Sequence, residues 1–162
     1  MNRPGFALLS YGTESGKLNV VRMSNIDNKT LTANRNKPHG QKLGEIASEL
    51  RKYFVEDPSA CIVREEALAN ISTSAKTIQV LHKVVGVTDL YAWAFGGKIF
   101  DEISPKTVKK LITGDANAEK YVVAKCLDDY VGPQKYACDD ESDAVAVGVA
   151  WLIERGYLKA HE

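Results

Sequence analysis

Glu65, Asp140 and Asp143 are the residues of this 162-residue chain whose types and spacing best suit chemistry. Asp140 and Asp143 are three apart, so on a helix both carboxylates project from one face, near the positive end of the dipole. They open the run Asp140-Glu141-Ser142-Asp143-Ala144-Val145-Ala146-Val147-Gly148-Val149-Ala150-Trp151-Leu152. Asp139 and Asp140 stand where a helix would be N-capped, and the Val/Ala/Trp/Leu run reads as its buried body. A helix apolar nearly all round packs against something, usually a sheet. Two carboxylates held together there repel each other unless a cation sits between them. Taken alone, the same acidic first turn also fits a cluster that serves only the helix dipole. Glu65 is the third member. Ala60-Cys61-Ile62-Val63 predicts a short buried strand that delivers Arg64-Glu65-Glu66 at its C-terminal end, where open α/β sheets build their sites. A strand-end carboxylate facing two helix-borne ones can hold Mg²⁺ or Mn²⁺, hard cations that prefer oxygen and leave room for phosphate.

The elements that must position these groups follow from periodicity and punctuation. Phe6-Ala7-Leu8-Leu9-Ser10-Tyr11 and Leu18-Asn19-Val20-Val21-Arg22-Met23 predict two strands joined by a hairpin over Gly12 to Gly16. Asn25 to Gly40 is polar and aperiodic, a loop. Leu43, Ile46, Ala47, Leu50 and Phe54 recur at helical spacing until Asp57-Pro58. Ser72 or Ser74 caps a helix running through Ile78, Leu81, Val84, Val85 and Leu90 toward Trp93. Tyr91, Trp93 and Phe95 read as its packing residues. Ile99 to Ile103 is a strand, and Pro105 opens a helix that Gly114 stops. Asn117-Ala118-Glu119-Lys120 begins another, ended by Gly132-Pro133. The order is a hairpin, then strands alternating with helices, with no internal repeat. It predicts one α/β domain over residues 1–162, a mixed sheet with helices on both faces.

Composition bounds the function classes. A hydrophobic fraction of 44% with 26% charged residues is that of a soluble globular chain. Lys plus Arg and Asp plus Glu both count 21, so net charge names no polyanionic partner. The distribution says more: Lys98, Lys106, Lys109, Lys110, Lys120 and Lys125 precede an almost purely acidic stretch from Asp128 to Asp143. Asp101, Glu102, Asp115 and Glu119 lie among those lysines, so the pattern suits a protein that holds a phosphate backbone and brings metal to it, and equally a neutral protein with random patches. Cys61, Cys126 and Cys138 have no C-x-x-C spacing, which argues against zinc and a disulfide framework and for a reducing cytoplasm. No apolar run reaches membrane-spanning length. His82 has no nearby Cys or carboxylate to make a ligand pair, His39 in the polar loop and His161 at the terminus make no stronger case, and Gly96-Gly97 lacks the context of a phosphate loop.

In this order the chain resembles the RuvC-type Holliday junction resolvases of the ribonuclease H-like superfamily, in particular the forms of Gram-positive bacteria and their phages. The matching pieces are Arg3-Pro4-Gly5-Phe6-Ala7, Ile62-Val63-Arg64-Glu65, Ser104-Pro105-Lys106-Thr107-Val108-Lys109-Lys110-Leu111-Ile112-Thr113-Gly114, Ala118-Glu119-Lys120 and Asp140-Glu141-Ser142-Asp143-Ala144-Val145-Ala146. The resemblance spans nearly the whole chain and implies a ribonuclease H-like α/β fold. It implies an Mg²⁺- or Mn²⁺-dependent endonuclease that cuts branched DNA, the four-way junction, as a homodimer. The catalytic and metal-binding carboxylates would be Glu65, Asp140 and Asp143. Lys109 and Lys120 would reach DNA phosphates, with Lys106, Lys110 and Arg3 in the same DNA-facing set. Glu66 would point to the opposite face of its strand.

The chain also departs from the pattern. Family members begin with a strand ending in a metal-binding aspartate, which here would lie upstream of Met1. Either the true start lies upstream of Met1, or the chain has three carboxylates for the metal, an unpaired strand edge and an expectation of weakened cleavage. Near Leu68, where some relatives place an aromatic against the bases, leucine stacks less well. Two other readings stay open: a branched-DNA-binding protein that kept the fold without cleavage, and a ribonuclease H-like nuclease with another nucleic acid substrate.

Overall fold

The computed structural model describes residues 4–28, 36–67, 74–95 and 100–161. Strands β1 (Gly5–Gly12) and β2 (Lys17–Asn25) form an antiparallel hairpin. Gly16, at φ 65°, takes the left-handed turn position that a side chain resists. The pairing slips by one residue between Leu8 and Leu9, a bulge that bends the ribbon. Strands β3 (Ile62–Glu65) and β4 (Phe100–Ile103) make a second ladder. The described strands are therefore hydrogen-bonded as two two-stranded ladders.

Helices α1 (His39–Glu56) and α2 (Ala75–Ala94) pack against each other, with Phe54 and Phe95 stacked 5.2 Å apart. Ser74 accepts the Thr77 N–H and caps α2, so of the two serines offered by the sequence this one serves. Ser72 lies outside the described residues. Trp93 is 77% exposed rather than packed, while Phe95 and Tyr91 do stack. Helix α1 begins at His39, before the first apolar position, which shortens the expected loop.

Helix α3 (Pro105–Thr113) follows Ser104, whose hydroxyl accepts the Thr107 N–H, and Gly114 at φ 77° closes it, as Pro105 and Gly114 predict. Helix α4 (Lys120–Val131) and helix α5 (Asp139–Glu154) complete the order. The N-cap of α5 is Cys138, and no side chain caps it; Asp139 and Asp140 are its first two helical residues. The expectation that aspartate caps this helix is thus corrected. Ser142 instead donates to the Asp139 carbonyl from inside the first turn.

The chain resolves into two compact units. One comprises the described residues of Met1–Pro4, Ile26–Ile62 and Ala67–Asp101; the other Gly5–Asn25, Val63–Glu66 and Glu102–Glu162. The second holds a core of Leu18, Ile103, Val108, Ile112, Leu127 and the inner face of α5, including Val145 and Val149. Full burial of each such side chain contributes about 1.5–3 kcal/mol, which makes α5 the structural centre of its unit. Strand β1 lies on α5 closely enough that a Cβ on Gly148 would come within 2.5 Å of Leu9 Cδ1. That packing, not helix propensity, is why a glycine sits mid-helix.

Candidate functional site

Every carboxylate singled out in the sequence belongs to the second unit. Strand β3 runs two residues later than the apolar run suggested, so Glu65 is its last residue rather than a residue beyond it. The Glu66 N–H donates to the Ile103 carbonyl at 2.9 Å, which anchors the strand end. Arg64 turns to Glu102 and donates from Nε at 2.6 Å, leaving Glu65 to the alternate side as strand periodicity requires.

Glu65 has much of its surface in solvent, yet the protein mass around its carboxyl is enough to raise its pKa above the ordinary 4.5. Burial is the largest cause, and the Asp143 carboxylate adds to the rise. Lys120 and Lys109 act in the opposite direction. Glu65, Asp143, Lys109 and Lys120 therefore share one electrostatic neighbourhood, although β3, α3, α4 and α5 supply one each.

Lys120, at the first position of α4, donates from Nζ to the Asp143 carboxylate. That bond is the largest cause of a raised Lys120 pKa, with Asp140 and Asp139 contributing by charge. Asp140 thus enters the cluster through Lys120. Lys106 and Lys110 are exposed on α3. Arg3 and Leu68 lie outside the described residues.

Among the described residues, no three His, Cys, Asp or Glu side chains converge tightly enough to hold an ion as they stand. The chemistry of the donors nonetheless fits a hard cation: the three candidates are carboxylates, and an ammonium already sits on one of them.

Sequence reasoning missed two residues. Glu141 is 7% exposed, and its Oε1 accepts from Asn25 Nδ2 at 2.8 Å while its Oε2 accepts the Ala137 N–H at 2.8 Å. A signal existed for it. Glu141, Val145 and Val149 recur every four residues, which puts a glutamate on the buried stripe of α5. Nothing local marks Asn25.

No family model matches the chain. The chain is similar to the crossover junction endodeoxyribonuclease RuvC of Brachyspira hyodysenteriae, 29% identical over 147 residues, covering 91% of this chain and 88% of that protein. It is 28% identical over 156 residues to the enzyme of the same name from Ehrlichia ruminantium strain Welgevonden, covering 94% and 91%. Its fold is similar to Thermus thermophilus RuvC, TM-score 0.73 at 16% identity, covering 99% of this chain and 94% of that one. The structure of T. thermophilus RuvC in complex with Holliday junction substrate matches with TM-score 0.74, also at 16% identity, covering 97% and 92%.

Proposed function

We propose that this chain, which is of the RuvC type with a ribonuclease H-like α/β fold, is a metal-dependent endodeoxyribonuclease that hydrolyses phosphodiester bonds at four-way DNA junctions. The observation that carries the reading is the meeting of Glu65, Asp143, Lys109 and Lys120 in one unit, with Asp140 joined to them through Lys120. Carboxylates to hold a cation and lysines to hold a phosphate are the two halves of phosphodiester chemistry. Glu65, Asp140 and Asp143 would hold Mg²⁺ or Mn²⁺. When bound, the cation supplies Lewis-acid activation of water and charge stabilisation at the leaving oxygen.

The remaining steps belong to the chain's own residues. Glu65, its pKa raised, keeps a proton to higher pH than an ordinary glutamate and would have to give it up to hold a cation. Lys120, which donates to Asp143, would have to leave that carboxylate free for a cation, and its ammonium would then stand available to a DNA phosphate beside the carboxylates. Lys109 neutralises the same backbone, with Lys106, Lys110 and Arg3 extending the basic track.

The relatives align over 91% to 94% of the chain, which supports a single RuvC-type domain over residues 1–162. Leu90 and Trp93 are 58% and 77% exposed on α2, an apolar surface that suits pairing with a second copy. Among the described residues no helix is long and apolar enough to cross a membrane. Three free cysteines suit a cytoplasmic setting.

The test is cleavage of a synthetic four-way junction, with linear duplex of the same sequence as control, by the chain and by Asp143→Asn. Junction-selective cutting that falls about a thousandfold in the variant, the several kcal/mol a bound cation supplies, bears the reading out. Junction binding with no cutting by either protein identifies a binding module instead. Cutting of both substrates alike points to a nuclease of broader specificity.

A further inference from the structure

The contacts of Glu141 carry a second level of organisation beneath the acidic cluster. Successive helical residues are turned by about 100°, so Glu141 faces away from both Asp140 and Asp143, into the unit. Its two carboxylate oxygens are each engaged. Asn25 Nδ2, at the last position of β2, donates to Oε1 at 2.8 Å. The Ala137 N–H, in the connection before α5, donates to Oε2 at 2.8 Å. One side chain thus ties a strand end and the approach to the helix into the first turn that bears the candidate ligands.

Gly5 reinforces that tie from the neighbouring strand. It is the cross-strand partner of Asn25. A Cβ at Gly5 would stand 1.9 Å from the Asp140 carbonyl oxygen and 2.5 Å from its carbon, so the backbone of β1 abuts the backbone of Asp140 itself. The Gly5–Asn25 pair therefore touches the first turn of α5 twice, once by close approach and once by hydrogen bond.

We infer that Asn25 and Glu141 are positioning residues, a clamp that fixes the first turn of α5 and with it the direction in which Asp140 and Asp143 present their carboxylates. Core packing alone holds the body of α5, because Val145, Val149 and Ala150 are fully buried. It does not fix the rotation and pitch of an end turn whose N-cap makes no side-chain bond. Burying a carboxylate costs free energy that an apolar side chain of the same volume would spare, so its presence is better matched to orientation than to stability. Two hydrogen bonds from different elements are what an end turn needs to be held in one place.

The inference rests on the metal-dependent reading of the acidic cluster, and its test separates the two. The full chain is compared with Asn25→Ala, Glu141→Ala and Glu141→Gln by amide-hydrogen exchange without metal and by calorimetric titration with Mn²⁺. Loss of one clamp bond should speed exchange at residues 137–143 about tenfold, while the amides from Val145 to Ile153 stay protected. Mn²⁺ affinity should fall roughly tenfold in both alanine variants, as for other groups that orient ligands from behind. Glutamine can keep both bonds, since its oxygen accepts from Ala137 and its amide reaches Asn25 Oδ1 once that side chain turns over. Glu141→Gln should therefore restore both readouts. If it behaves like Glu141→Ala, the charge and not the clamp matters, and the inference is overturned. Unchanged exchange at 137–143 in Asn25→Ala, or faster exchange with unchanged Mn²⁺ affinity, overturns it equally. Should the unmodified chain bind no Mn²⁺, the nuclease reading falls, while the pattern of exchange still decides whether the clamp exists.

Discussion

The Lys120 ammonium donates a hydrogen bond to the Asp143 carboxylate, joining the first residue of α4 to the fifth residue of α5 across 23 positions of sequence. The pair is partly open to solvent, with side-chain exposures of 57% and 33%. A lysine in this position has two functions that oppose each other. It neutralises the carboxylate here, and on the proposed reading it would serve a DNA phosphate once a divalent cation takes that carboxylate.

Lys120→Ala should accordingly move two affinities in opposite directions. Mn²⁺ binding should tighten by up to about fivefold, because an exposed pair of about 0.2–1 kcal/mol no longer has to be broken. Junction DNA binding should weaken. The Lys120 pKa is raised by the bond to Asp143, so the pair's contribution is present below the ordinary lysine value and is lost only as pH rises through the higher folded one. The competition is therefore intact at neutral pH. Calorimetry with Mn²⁺ and fluorescence anisotropy with labelled junction measure the two effects, and parallel losses of both affinities would place Lys120 outside the competition.

Lys109 and Lys120 together should dominate the salt dependence near the cluster. Each phosphate contact contributes about 0.9 to the slope of log affinity against log salt, so the double alanine variant should lose roughly 2 from that slope. Lys106→Ala with Lys110→Ala, on the exposed side of α3, provides the comparison for the basic track. Equal slopes for the unmodified chain and the Lys109/Lys120 variant would put these ammonium groups away from the DNA.

Glu65 gives the site a pH dependence of defined sign. Its pKa is raised in the folded chain, by burial first and by Asp143 second. A raised carboxyl stabilises the metal-free fold below the ordinary value of 4.5, and that contribution is lost as pH rises through the folded pKa. A cation needs the ionised form, so Mn²⁺ binding should release protons and strengthen over the same window just above 4.5. Glu65→Gln should flatten both curves. Proton release is read by calorimetry in two buffers of different ionisation enthalpy; a variant that releases as many protons as the unmodified chain assigns the titration to another carboxylate.

Tyr136 should govern alkaline stability in the same unit. Its hydroxyl is buried without a hydrogen-bond partner among the described residues, and burial, with Asp128 adding to it, pushes its pKa from 10.0 up to about 12. The neutral phenol favours the fold below the unfolded pKa, and this contribution disappears as pH rises from 10.0 through about 12. Tyr136→Phe should leave neutral stability within about 1 kcal/mol, since no bond is lost. The difference between the two urea-unfolding curves should open above pH 10, and a constant difference would show that Tyr136 does not titrate in this window.

What the sequence determined by itself was local. Ser104, Pro105 and Gly114 bracket α3 because a hydroxyl acceptor, a preset φ and a left-handed glycine act within a few residues of one another. The three-residue spacing of Asp140 and Asp143 fixes their common face for the same reason, and the end of a short strand is readable to within two residues, which sufficed to find Glu65. The family resemblance rests on such local pieces in order. The tertiary structure decided who meets whom. Lys120 could have been a free DNA-facing lysine on sequence alone, and only the packing of α4 beside α5 puts it on Asp143. Glu141 read as one more acid of the first turn until its face of α5 met the end of β2 and Asn25. The cap at Cys138 and the exposure of Trp93 likewise depend on where the chain is led and what it is packed against. Periodicity and capping are short-range properties of the chain, whereas partners for buried polar groups are set by contacts between residues far apart in sequence, and those exist only once the fold has formed.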